Sequence, residues 1–318
     1  VHVEPIFKER IWGGTMMKTR FHGETDIDRI GEMWCVAALK GNGDNRLTEI
    51  GMSLSEAYEK LPEWFNCASE QFPLRCTLMD PIDNLSVQVH PTEGYATEHY
   101  GSYGKPEAWY VLETNGNHKI QFGHTAKTKD EFLKKANDGK WDELLSYVDA
   151  NAGDFLNVPA GTIHAIGKNV VTFEISRNAD ITYRIFDYNR VDAKTGMHRD
   201  LHLDRAMDVL TIPHREKGPI HPEPFLFKGC LISEFIDEPK KFTLRKIETD
   251  THGIFDDPHL NYNTVIEGEG KVDDIDVPVV KELVAQAAAS SSYSIQGHHV
   301  EFTGICADCQ KKQQEAGH

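Results

Sequence analysis

Alternation of apolar and polar side chains sets the layout of this chain. In Ser86-Val87-Gln88-Val89-His90-Pro91 the two kinds take turns, so a strand there sends Val87 and Val89 one way and Gln88 and His90 the other. Residues 107–112 form a second strand by the same reasoning, with Lys105, Glu107 and Trp109 on one face. Residues 30–38 read as a buried strand, residues 74–85 lead into the Gln88 strand, and residues 120–122 add another. The β pattern returns through Val158-Pro159-Ala160-Gly161, residues 170–176 and residues 181–188, and again from Phe225 through 231–235 and 242–247. Many short strands joined by Gly- and Pro-bearing turns predict a mainly β protein of the jelly-roll barrel kind.

Helical spacing interrupts that pattern in three places. Ser53-Leu54-Ser55-Glu56 is a capping box that opens a short helix ending near Pro62. Thr128-Lys129-Asp130-Glu131 is another, followed by Phe132 and Leu133 and broken at Gly139. Trp141, Leu144, Leu145 and Val148 then fall at i, i+3, i+4 and i+7, which predicts a second helix and a helical insertion over about residues 127–150 covering one barrel edge. Residues 200–210 predict a further helix, with Leu203, Ala206, Met207 and Leu210 on one face and Pro213 beyond its end. The Pro- and His-rich stretch 213–224 reads as a linker, which divides the chain into residues 1–212 and a smaller unit, 213–318.

Composition narrows the class. At 318 residues the chain suits one large or two modest domains, and its 39% apolar and 26% charged content is that of a soluble globular protein. A formal net charge of −16 argues against a nucleic-acid surface, which needs clustered Lys and Arg. No run approaches the length of apolar residues that a membrane span needs, and Val1-His2-Val3-Glu4 does not open a signal pattern. Of the cysteines at 35, 67, 76, 230, 306 and 309, only Cys306-x-x-Cys309 forms a motif, so a reducing cytoplasm is expected.

The chemistry-bearing residues concentrate near the alternating strands. A single His on a strand is ordinarily a half-buried residue, but Gln88, His90, Glu107 and His164 together offer four ligands to one metal ion. Two imidazoles, a carboxylate and an amide oxygen suit a borderline divalent ion, zinc first. One anionic ligand leaves the site net positive, as a Lewis acid requires. Glu174, inside Val171-Thr172-Phe173-Glu174-Ile175-Ser176, is a carboxylate in an apolar strand; it reads equally as a base with a raised pKa or as a structural partner for Arg or Lys.

These motifs carry a family resemblance. Gly153-x5-Pro159-x-Gly161-x2-His164 resembles the second cupin motif, in which a strand, a tight turn and a returning strand aim one His into a barrel. With Gly104-Lys105-Pro106-Glu107, Pro5-Ile6-Phe7-Lys8-Glu9-Arg10-Ile11-Trp12-Gly13-Gly14 and Gly31-Glu32-Met33-Trp34, the first 250 or so residues resemble type I phosphomannose isomerases of the short bacterial kind. The resemblance implies two cupin-like, double-stranded β-helix barrels with the active site in the first. It also implies one zinc ion per chain and interconversion of mannose 6-phosphate and fructose 6-phosphate through an enediolate. Substrate contacts would then come from Trp12, Ser86, Lys105 and Arg184, and catalytic roles fall to Arg184, Lys105, Glu174 and Asp180. From the residues alone, Trp12 reads equally as a core aromatic before a Gly-Gly turn; a solvated loop Lys for Lys105 and a structural ion pair of Asp180 with Arg184 are the lesser alternatives. A sugar phosphate is the expected partner, with neither nucleic acid nor membrane, and the chain is expected as a monomer or homodimer.

Past Gly270 the resemblance thins. Val280, Leu283, Val284 and Ala287 make a helical stripe, and the end through Cys306 and Cys309 is similar to the terminal region of ferric-uptake-type metalloregulators. That implies a fused or rearranged C-terminus, with Cys306, Cys309 and His298 or His299 as a conceivable metal set. Two rival functions stand beside the isomerase: isomerisation of a related sugar phosphate, and a non-catalytic, metal-bound, sugar-binding or regulatory cupin.

Overall fold

The alternating segments assemble into two antiparallel sheets. A computed structural model describes residues 1–249 apart from 66, 68, 117, 216 and 239–241. The larger sheet has six strands in the order Phe155–Val158, Glu107–Thr114, Val170–Arg177, Leu74–Met79, Ile30–Val36 and Ile6–Gly14. The other has five, in the order Leu145–Asp149, Lys119–His124, His164–Ala165, Val87–Val89 and Tyr183–Phe186. Strand neighbours come from distant parts of the chain, so residues far apart in sequence meet across each sheet.

Register decides which side chains share a face, because directly paired residues project together. Across the six-stranded sheet Ala108 pairs with Ile175, Ile175 with Cys76, and Cys76 with Val36. This apolar row belongs to a core cluster completed by Leu54, Ala57 and Tyr58 of the Leu54–Lys60 helix and by Phe155. The two rows beside it are polar and project the other way: Glu107–Ser176–Arg75, and Trp109–Glu174–Thr77–Trp34. That face meets the second sheet, since Trp109 packs edge-on against His164 with ring centres 5.2 Å apart. A larger core cluster takes Trp109 and Val111 from one sheet, Val87, Val89 and Phe122 from the other, and Phe132 and Met207 from flanking helices.

The capped helices form as their sequences dictate. Ser53 Oγ accepts from the Glu56 N–H at 3.3 Å, and Thr128 Oγ1 accepts from the Glu131 N–H at 3.2 Å, which starts Lys129–Asn137. The helix expected over 141–148 is cut to one turn, Trp141–Leu144. From Leu145 the chain becomes an edge strand on Lys119–His124, with Ile120 opposite Val148 and Gln121 opposite Tyr147. Leu145 and Val148 are buried in the strand, which also satisfies the backbone groups of the Lys119 edge. The second half of that predicted helix is thus strand, while the insertion otherwise stays helical. The last described helix is Leu203–Val209, shorter at both ends than the stretch 200–210.

After the 213–224 stretch comes a three-stranded sheet, Phe225–Phe227, Cys230–Glu238 and Phe242–Glu248. Phe235 from it stacks near Phe155 and Tyr110, at ring-centre distances of 4.8 and 5.3 Å. It lies in a compact unit that runs from Val1 to Thr264. The rest of the expected second domain, with the helical stripe at 280–287 and Cys306 and Cys309, lies outside the described residues. Among the described residues no helix is long and apolar enough to cross a membrane, and Cys35, Cys67, Cys76 and Cys230 are free thiols.

One turn links these elements to His164. The Pro159 carbonyl accepts from Thr162 N–H at 3.1 Å, Gly161 N–H donates to the His90 carbonyl at 2.9 Å, and the Gly161 carbonyl accepts from Thr211 N–H at 2.8 Å. Gly161 has φ +85°, and a Cβ there would lie 2.6 Å from Thr211 Oγ1 and 2.9 Å from the Val209 carbonyl oxygen. Only glycine fits such a left-handed position against backbone without strain. Gly161→Ala is therefore expected to lower unfolding free energy by about 1–3 kcal/mol. Urea denaturation of the two proteins checks this, and an unchanged midpoint would contradict it.

Candidate active site

His164 pairs directly with Gln88, and Gln88 with Arg184, across three neighbouring strands. Their side chains therefore project from one face of the five-stranded sheet. His90 follows two residues after Gln88 and shares its direction. Facing them, Glu107 projects from the inner face of the six-stranded sheet. The structure thus brings His90, Glu107 and His164 into one group whose ligand atoms all lie within 4.8 Å of one another, each residue buried.

The two imidazoles are oriented from behind. His90 Nδ1 lies 2.8 Å from the Ile181 carbonyl oxygen, and His164 Nδ1 lies 2.8 Å from that of Thr162. A carbonyl only accepts, so each Nδ1 carries the proton and each Nε2 turns its lone pair toward Glu107. His90 Nε2 is 3.0 Å from Glu107 Oε1, and His164 Nε2 is 3.6 Å from Glu107 Oε2. His164 Nε2 is buried and has no hydrogen-bond partner. A buried acceptor without a donor is costly, and a divalent cation among these atoms satisfies it. The donor set fits such an ion, with carbonyl-braced histidines of the kind that support metal ligands. Half-buried Gln88 stands beside His164 as the fourth candidate.

Charge within the group is arranged against the cost of burial. Burial pushes the Glu107 carboxyl up, but the Lys105 ammonium is the largest opposing influence and the group is held well below the usual carboxylate range. Lys105, itself buried, places Nζ 2.6 Å from Glu107 Oε1 and 3.4 Å from His90 Nε2. Trp109 Nε1 donates to Glu107 Oε2 at 3.2 Å. Burial lowers His164 to about 4, and burial with the Lys105 charge lowers His90, so both rings are neutral near pH 7.

Glu174 sits diagonally from Glu107 on the same sheet face. Burial, followed by the Glu107 charge, raises its carboxyl to about 7. Ser176 Oγ donates to Glu174 Oε1 at 3.3 Å, and Arg75 Nη2 lies 3.6 Å away. Asp180 pairs with Arg75 Nη1 at 3.1 Å and accepts from Asn42 Nδ2 at 2.5 Å. Arg184 instead donates from Nε to Ser86 Oγ at 3.2 Å and from Nη1 to the Asp200 carbonyl at 2.9 Å. Trp12 is 3% exposed and belongs to the larger core cluster.

Sequence reading passed over Arg75 and the buried Asp187. Asp187 accepts from Arg190 Nη2 at 2.5 Å and Arg199 Nε at 2.8 Å, just past the Arg184 strand. The signal for Arg75 was present, since Arg75 and Thr77 alternate with Leu74, Cys76 and Leu78.

Several known proteins resemble this chain. The family described as phosphomannose isomerase type I, catalytic domain, matches residues 1–126. Mannose-6-phosphate isomerase ManA of Bacillus subtilis (strain 168) is 41% identical over 276 residues, covering 85% of this chain and 86% of its own. The crystal structure of the Bacillus subtilis mannose 6-phosphate isomerase superposes with a TM-score of 0.73 at 35% identity, over 78% of this chain and 79% of that one. A structure of a mannose 6-phosphate isomerase bound with zinc and yttrium has a TM-score of 0.55 at 15% identity, over 76% of this chain and 82% of its own.

The depressed His164 pKa has a measurable consequence for metal-free protein. In the unfolded chain the ring protonates below its ordinary 6.5, whereas in the fold it does so only near 4. Between those values the unfolded state binds more protons, so stability falls as pH falls. The loss expected from this residue is about 3 kcal/mol. Denaturation of chelator-treated protein from pH 7 to 4 measures it, and His164→Gln should flatten the slope. An equally steep slope in the variant would contradict the prediction.

Proposed function

We propose that this chain, which belongs to the type I phosphomannose isomerase family, interconverts mannose 6-phosphate and fructose 6-phosphate with one zinc ion. The observation that carries this reading is the buried His90–Glu107–His164 group beside a second buried carboxylate, Glu174. The 41%-identical relative is a mannose-6-phosphate isomerase, which points to the substrate. The zinc of the distant structural neighbour and the mixed nitrogen and oxygen donors favour that metal.

The reaction moves a proton from C2 of the aldose to C1 and a hydroxyl proton from O2 to O1, so that the carbonyl changes place through an enediolate. Gln88, His90, Glu107 and His164 would hold a zinc ion, which would supply positive charge to stabilise the enediolate and, being redox-inert, suits proton transfer. Glu174 takes the proton from C2 and returns it at C1. With its carboxyl at about 7 it accepts and releases a proton at neutral pH without a large penalty either way. Arg184, permanently charged and braced by Ser86, binds the anionic end of the substrate. Lys105 keeps Glu107 ionised and ready to act as a ligand, and Asp180 lines the same wall through Arg75. Trp12 supports the pocket from the core. All of these groups fall within residues 1–212, the expected catalytic unit. Free thiols at Cys35, Cys67, Cys76 and Cys230 support a reducing, cytoplasmic setting.

The direct test is fructose 6-phosphate formation from mannose 6-phosphate, before and after chelation and after zinc is restored. Activity lost to chelator and regained with zinc is the expected result. No turnover by folded, zinc-loaded protein, or turnover only with another sugar phosphate, would overturn the assignment. Glu174→Gln should lower kcat by about a hundredfold or more, the range for a removed general base. Zinc content should not change, because Glu174 is not among the ligands.

A further inference from the structure

Arg75 is a costly residue for its position. It lies in the Leu74–Met79 strand, 4% exposed, on the face that looks into the site. Its Nε has no hydrogen-bond partner. A buried ion pair seldom stabilises a fold more than a well-packed apolar side chain of similar volume. Stability alone therefore gives little reason for a guanidinium here.

Its contacts give a different reason. Nη2 lies 3.6 Å from Glu174 Oε1, and Nη1 lies 3.1 Å from Asp180 Oδ1. The guanidinium carbon sits 5.0 Å from the centre of the Trp34 ring, which fixes the plane of the fork. Trp34 is held in turn, its Nε1 donating to Glu32 Oε2 at 2.7 Å, while Arg10 grips both Glu32 oxygens at 2.8 and 3.0 Å. At the other end, Asp180 immediately precedes Ile181, whose carbonyl orients His90. One planar fork thus spans the strand that carries Glu174 and the segment that aims a metal ligand.

We infer that Arg75 is a positioning residue for the isomerisation, tying the Glu174 carboxylate to Asp180 so that the proton-moving group and the His90 side of the site keep a fixed separation. This rests on the assignment of Glu174 above. Lysine is a poor substitute, because one ammonium lacks the rigid two-pronged geometry that meets both acids.

A kinetic double-mutant cycle tests it on the full-length, zinc-loaded protein. Arg75→Met and Arg75→Lys are each combined with Glu174→Gln, and kcat and KM are measured on mannose 6-phosphate with zinc content and melting temperature as controls. Arg75→Met is expected to lower kcat about tenfold or more with KM within about twofold, the signature of an interaction felt in the transition state. In the Glu174→Gln background the same change should cost less than about twofold, because coupled residues are non-additive. Arg75→Lys, which keeps a cation in the wall, covers the case in which the Met variant fails to fold, and should show a smaller loss with the same cancellation. An undiminished loss in the Glu174→Gln background, or a change in KM alone, would overturn the inference. Glu174→Gln as active as the parent would overturn the Glu174 assignment itself, and the inference with it, and that result is read from a separate corner of the cycle.

Discussion

Everything at this site depends on keeping the Glu107 carboxylate ionised in a place from which water is largely excluded. Desolvation opposes the charge, and removing a carboxylate from water without compensation is far too costly for a folded protein to sustain. Lys105 supplies the compensating charge, with Trp109 donating a further hydrogen bond. His164 approaches the other oxygen without a hydrogen-bond partner of its own. The arrangement is complete in charge but not in ligation, and it therefore suits a cation.

The same buried negative charge sets the character of its neighbour. Glu174 stands on the same sheet face without a lysine in contact, so burial and the Glu107 field push its proton on, while Lys105 and Arg75 act in the opposite sense. Two carboxylates a short way apart on one wall thus take different states: one permanently anionic and fit to hold a metal, the other near neutrality and fit to move a proton. Divergent environments for paired acids are a general means of dividing chemical labour in a site. The dry wall also explains why the cations here are so closely braced, Arg184 by Ser86 and the Asp200 carbonyl, Arg75 by two acids and a ring.

Much of this was legible in the chain. Alternation placed Gln88 with His90, and Lys105 with Glu107 and Trp109, because period two follows from strand geometry and needs no partner strand. The Gly153 to His164 spacing announced the turn at Pro159 and Gly161 for a local reason: only glycine accepts φ +85° against the Thr211 backbone and side chain. Ser53 and Thr128 cap their helices as their positions predicted, since a cap is made within four residues. The mainly β fold and the family membership follow from the same local signals.

What only the tertiary structure decided is pairing. Residues 141–148 carry a helical period, yet from Leu145 on they become an edge strand because an unpaired sheet edge at Lys119–His124 offers hydrogen bonds that no helix supplies. Asp180 and Arg184, four apart, could have met as a pair; register sends one to Arg75 and the other to Ser86. Alternation marks Arg75 and Thr77 as sharing one face of their strand, but Arg75 acquires meaning only when Ser176 pairs opposite it and Glu174 and Asp180 come within reach. Local geometry determines which side chains point together along one strand. Which strands lie side by side, and so which charges meet, depends on the packing of the whole chain.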